Sequence, residues 1–121
     1  MIDYKLGEVE SKFADLIWEN EPISSGELVK LAADDLVWKK STTYTVLRKL
    51  CEKGLFKNEN SSVTSLISKD EYMAMQSERF VEEIFSGSLP KFLAAFSKRK
   101  DLSHTEVTKI QELIDKYKEG K

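Results

Sequence analysis

The chemistry-bearing part of this 121-residue sequence is a face of hydroxyls and cations. It lies in Lys39-Lys40-Ser41-Thr42-Thr43-Tyr44-Thr45-Val46-Leu47-Arg48-Lys49-Leu50-Cys51-Glu52-Lys53-Gly54-Leu55. Ser41 or Thr42 offers a helix cap, and Gly54 offers the left-handed residue that ends a helix. Val46, Leu47, Leu50 and Cys51 recur at helical spacing and make one apolar stripe. At about 100° per residue, Ser41, Thr45, Arg48 and Glu52 fall opposite that stripe, with Thr42 and Lys49 alongside. Thr43 points inward. Hydroxyls and cations so arranged reach phosphates and base edges in a DNA major groove. An ordinary amphipathic surface helix presents the same pattern, so the surrounding elements must decide.

Other chemistry has little to stand on. There is no Gly-rich phosphate loop and no nucleophile–base constellation, so an enzyme is not expected. A lone His104 and a lone Cys51 make no metal cluster, and neither a metal nor a cofactor is expected. One cysteine excludes an internal disulfide, and its place on the apolar stripe suits a buried, inert thiol. No apolar run approaches a membrane span and the N-terminus lacks a signal-peptide pattern, so the expected location is the cytoplasm, away from membranes. With 40% hydrophobic and 33% charged residues, the composition suits a mostly helical protein of one domain, or of a small domain with an appendage.

Charge is distributed unevenly. Residues 1–38 hold three cations against nine carboxylates, a balance of −6. Residues 39–57 hold Lys39, Lys40, Arg48, Lys49, Lys53 and Lys57 against Glu52, a balance of +5 within a chain of net charge −2. Binding to DNA follows the cations that meet phosphates, so the local balance counts for more than the total. Acidic neighbours behind such a segment weaken loose, non-specific attachment.

The flanking elements supply a frame for this face. Val9, Phe13, Leu16 and Ile17 mark a helix over roughly residues 6–20, ended by Pro22. Ser24 and Glu27 form a capping-box signature that opens a short helix with Leu28, Leu31 and Ala32 inward. A link over 34–40 containing Trp38 leads into the basic helix. Three helices in this order describe a helix-turn-helix core, with Trp18 and Trp38 as packing groups. After Gly54, Leu55-Phe56-Lys57 and Val63-Thr64-Ser65-Leu66-Ile67 read as strands around a Glu59-Asn60-Ser61-Ser62 turn. A hairpin there is the wing of a winged helix. It carries only Lys57 as a cation, so Asn60, Ser61 and Ser62 would supplement its phosphate contacts.

From Asp70, taken as a cap, three amphipathic helices follow. The first bears Met73, Phe80, Val81, Ile84 and Phe85 and ends at Gly87. The second opens at Ser88 and Pro90 and bears Phe92, Leu93 and Phe96. The third opens with a Ser103/Glu106 capping box and bears Val107, Ile110, Leu113, Ile114 and Tyr117. About fifty residues in this form cannot bury their stripes alone, and a two-fold partner subunit is the natural cover.

The order of elements and the Ser41–Leu55 segment resemble the penicillinase and methicillin-resistance repressors, a family with copper-responsive members. The resemblance continues through Lys69-Asp70-Glu71-Tyr72, Phe85-Ser86-Gly87-Ser88-Leu89 and Asp101-Leu102-Ser103, nearly the whole chain. It implies a homodimeric repressor of a palindromic DNA operator, with residues 1–69 on DNA and residues 70–121 joining subunits. It also implies antibiotic-resistance genes as targets. In β-lactam-responsive members a regulatory protease cuts an Asn–Phe bond in the first dimerisation helix. The matching bond here is Ala95–Phe96, with Phe kept and Asn replaced by Ala. Copper-responsive members end in a cysteine-rich tail, and this chain has no cysteine after Cys51.

The expected fold is therefore mainly α with a small β-hairpin, a winged helix-turn-helix followed by a helical dimerisation region. Lys39, Lys40, Ser41, Thr42, Tyr44, Thr45, Arg48, Lys49 and Lys57 are the candidate DNA contacts. Phe92, Phe96, Val107, Ile110, Leu113, Ile114 and Tyr117 are the candidate dimer contacts. The competing reading is a winged helix used as a protein-interaction module without sequence-specific DNA binding, which the cation-poor wing favours.

Overall fold

The computed structural model describes residues 5–120. Its elements run α1 (Glu8–Asn20), β1 (Ile23–Ser24), α2 (Ser25–Leu36), α3 (Lys40–Glu52), β2 (Phe56–Glu59), β3 (Ser62–Ser65), α4 (Lys69–Phe85), α5 (Leu89–Arg99) and α6 (His104–Glu119). They form two compact units, one ending at Glu78 and one beginning at Arg79.

The first unit is a winged helix. Phe13, Ala14 and Ile17 of α1, Leu28 and Ala32 of α2, and Leu47 and Leu50 of α3 enclose one core. Ile23, Leu55, Phe56 and Val63 close it from the sheet side. Burying each large member stabilises the unit by about 1.5–3 kcal/mol. The stripe of α1 differs from the expected one at its start. Val9 is 52% exposed, while Leu6, just ahead of the helix, packs on the core. Leu6 precedes the extended N-cap Gly7, so the entry segment and not the first helical turn covers this end of the core. Ser24 caps α2 as expected, its hydroxyl accepting from the Glu27 N–H at 3.1 Å.

Sequence patterning did not disclose β1. It pairs antiparallel with β3 through Ile23–Val63 and Ser24–Ser62, giving a three-stranded sheet in the order β1-β3-β2. The wing strands β2 and β3 turn at Asn60 and Ser61, both with positive φ (51° and 64°), as a tight two-residue hairpin requires. The Ser61 carbonyl accepts from the Ser25 N–H at 2.8 Å, joining the turn to the start of α2. Just ahead of β1, the Glu21 carboxylate accepts from the Ser65 N–H at 2.8 Å, and the Ser65 hydroxyl lies 2.9 Å from both its oxygens. Glu21 thus continues by side chain the pairing that β1 makes by backbone.

Trp18 is a packing group, stacked near Phe56 and Tyr72, and its indole N–H donates to the Ile67 carbonyl at 3.0 Å. Trp38 packs on Phe13 with ring centroids 5.0 Å apart. The start of α4 is capped by Ser68, whose hydroxyl accepts from the Glu71 N–H at 3.1 Å, and not by Asp70. Lys69 reaches back to Asp15 at 3.0 Å. The hydrogen bond and the charge of that carboxylate hold the Lys69 ammonium above its usual pKa.

In the second unit Phe80, Phe85, Phe92 and Phe96 form a chain of ring contacts with centroids 5.6–6.1 Å apart. Gly87 makes the turn between α4 and α5 at φ 81°, where an added Cβ would stand 3.1 Å from a Glu82 carboxylate oxygen. Ser88 caps α5 and the Ser103/Glu106 box caps α6, both as expected. None of the described residues of α4, α5 or α6 is fully buried.

Candidate nucleic-acid interface

Helix α3 begins earlier than Ser41. Lys39 is its N-cap, in extended backbone and without a side-chain cap. The hydroxyls that suggested a cap serve elsewhere. Thr43 donates to the Lys39 carbonyl at 3.2 Å and Thr45 to the Ser41 carbonyl at 2.9 Å, the back-bonding typical of hydroxyls inside a helix. At the other end Gly54, at φ 85°, donates to the Cys51 carbonyl and Leu55 to the Leu50 carbonyl. This paired closure is a Schellman motif, and Leu55 then enters the core.

The phase of the helix is the expected one. Thr43, Leu47 and Leu50 are buried, whereas Lys39, Lys40, Ser41, Thr42, Thr45, Arg48 and Lys49 are exposed. No described residue forms a salt bridge with Lys39, Lys40, Arg48 or Lys49, so their charge is directed at solvent. Two cations of the basic segment are engaged. Lys53 donates to the Lys5 carbonyl at 2.9 Å and lies 3.8 Å from Glu10, which assigns it to the fold. Lys57, on the wing, lies 3.7 Å from Glu59, an exposed contact that counterions and phosphates can displace.

Tyr44 is half-buried, its hydroxyl 3.4 Å from that of Ser25, so it braces α3 against α2 and presents one edge outward. It also lines, with Leu47, Arg48, Cys51 and Asn58, a groove of about 290 Å³ between α3 and the wing. Asn58 escaped the sequence reading, because a polar residue on a short strand carries no signal of its own. Burial, and secondarily the charge of Glu52, push the Cys51 thiol above its usual pKa. The thiol is therefore neutral at pH 7, and its native reaction with a disulfide reagent should run slower than that of free glutathione.

Against known proteins, the model of the family described as penicillinase repressor matches residues 6–116. The chain belongs to the penicillinase repressor family. It is a transcriptional repressor of that type. It is similar to the penicillinase repressor of Bacillus licheniformis, with 22% identity over 121 residues, 97% of this chain and 94% of that protein. It is also similar to the methicillin resistance regulatory protein MecI of Staphylococcus aureus, with 21% identity over 117 residues, 93% of this chain and 95% of that protein.

The remaining candidates of this family member fall in the second unit. Phe96, Val107, Leu113, Ile114 and Tyr117 are exposed, and Ile110 is half-buried. Phe92 is half-buried among Phe80, Phe85 and Phe96 of its own chain, so part of its surface is already covered. Ala95 and Phe96 both lie within α5, and the bond between them is helical. No described helix is long and apolar enough to cross a membrane. No group of three potential metal ligands occurs among the described residues.

Proposed function

We propose that this repressor is a homodimer that occupies a palindromic operator and blocks transcription sterically. Residues 1–69 lie on DNA and residues 70–121 join the subunits. Two copies of α3, held about 34–36 Å apart or a multiple of it, enter successive major grooves on one face of the duplex. The unpaired cations of α3 carry this reading. Arg48 and Lys49 supply base-edge or phosphate contacts, Lys39 and Lys40 engage phosphates, and Ser41, Thr42, Tyr44 and Thr45 set the register. Lys57 adds a phosphate contact from the wing. The two relatives, a penicillinase repressor and a methicillin resistance regulator, point to antibiotic-resistance genes as targets.

The test is selection of bound duplexes from a random pool. Recovery of a palindrome with half-sites one or two helical turns apart is the expected result, and a pool that stays unenriched would remove the reading. Arg48→Ala should weaken binding to the recovered duplex by about 1–3 kcal/mol in titration while leaving the thermal melt unchanged. The scarcity of cations on the wing, where Lys57 stands alone between Gly54 and Ser68, favours the second reading, a protein-interaction module. Steep loss of duplex affinity with added salt is expected of the repressor and not of that module.

A further inference from the structure

The turn between α2 and α3 contains an exposed residue in a conformation that its side chain opposes. Val37 ends α2 at φ 58°, ψ 39°, and the Trp38 N–H closes the turn on the Ala32 carbonyl at 3.2 Å. The corresponding turn at the end of α3 is made by Gly54. A β-branched residue resists the left-handed region, and glycine or asparagine adopts it far more readily. Strain of this kind is ordinarily compensated by packing, yet Val37 is 86% exposed. Its two methyl groups are left largely uncovered by the described residues.

Its surroundings narrow what covers them. Val37 stands two residues before Lys39, at the entrance to α3, and is followed by exposed Lys39, Lys40, Ser41 and Thr42. A single apolar side chain beside cations and hydroxyls makes a poor patch for an apolar protein partner. It suits a groove that is polar throughout except at one kind of group. Among the base edges of the major groove, only the C5-methyl of thymine is apolar. Exposed Asp34 and Asp35 precede the turn and repel phosphate, whereas Lys39 and Lys40 follow it and attract phosphate, so Val37 stands where the cationic face of α3 begins.

We infer that Val37 is a specificity-determining residue that packs against a thymine methyl in each operator half-site. The inference rests on the proposed operator binding and adds to it a base preference. The experiment uses the full chain and the duplex recovered by selection, with each thymine pair in the two half-sites replaced in turn by deoxyuridine, which lacks only the methyl. At one position the wild type should lose about four-fold per half-site, the worth of one buried methyl, or about sixteen-fold for the dimer. Val37→Gly should melt at the same temperature or higher, bind the thymine duplex correspondingly more weakly, and show no further loss on the deoxyuridine duplex. Indifference of the wild type to every replacement would overturn the inference while leaving operator binding intact. So would a deoxyuridine penalty that persists undiminished in Val37→Gly. Failure of the wild type to bind any duplex would overturn the operator reading, and this inference with it.

Discussion

Ile110→Asp combined with Leu113→Asp should produce a monomer whose operator affinity is lower by about 10²–10⁴-fold. Helix α6 is where this expectation arises. It carries its own capping box, yet it buries no described residue fully, and Val107, Leu113, Ile114 and Tyr117 lie in solvent. A second copy covering that stripe would place each new carboxylate against apolar surface, where an unpaired charge is strongly disfavoured. The core of Phe13, Ile17, Leu28, Leu50, Leu55 and Phe56 lies in the other unit, so each monomer should keep an intact DNA-reading surface. What it loses is linkage, because binding at the first half-site no longer concentrates α3 at the second. Sedimentation at micromolar concentration and duplex titration read the two consequences separately. A wild-type chain that sediments as a monomer, or a variant that remains dimeric and tightly bound, would refute the assignment.

The second large effect concerns Thr43. Its side chain has no accessible surface, and its hydroxyl is already bonded to the Lys39 carbonyl. Thr43→Arg would force an unpaired guanidinium onto the buried face of α3 that carries Leu47 and Leu50, at a cost of about 3–5 kcal/mol judged from other buried, uncompensated charges. A domain stable by about 5–15 kcal/mol loses much of its margin from one such change. Thr42→Arg, one residue away on the exposed face, should alter stability by no more than about 0.5 kcal/mol. Urea denaturation of the two variants measures the contrast directly. Equal destabilisation would mean that the helix is rotated from the phase described.

The comparison of Thr42 with Thr43 indicates how the fold became legible in the sequence. Helical periodicity places residues on faces, and it located both the inward stripe of α3 and the outward cations. Boundaries follow different physics. Ser41 and Thr42 resemble caps by type, but the backbone was already helical at Lys40, and the hydroxyls of Thr43 and Thr45 bond backward along the helix. Ser68, not Asp70, caps α4 because the first free N–H groups fall within reach of its hydroxyl. The two-residue β1 has no period to detect and exists because β3 offers it an edge. Charge counting treated Lys53 as part of the basic surface, whereas its ammonium is held at Lys5 and Glu10 through a tertiary approach that spacing cannot encode. Val37 is the opposite case. Residue type gave no hint of function there, and only its backbone angle together with its exposure singles it out.

The bond network around Glu21 bears on the timing of order in the wing. A hairpin of four-residue strands is marginal alone, and a free one would sample many shapes until a duplex selected among them. Here β3 is gripped along its second edge, by β1 backbone near its start and by the Glu21 carboxylate at Ser65. The freedom of the hairpin is therefore surrendered when the chain folds, before any duplex arrives. Amide exchange at Ser65 should accordingly require opening of the domain and not fluctuation of the wing. On the proposed operator reading, α3 and the wing reach DNA already ordered, and the search becomes one of alignment.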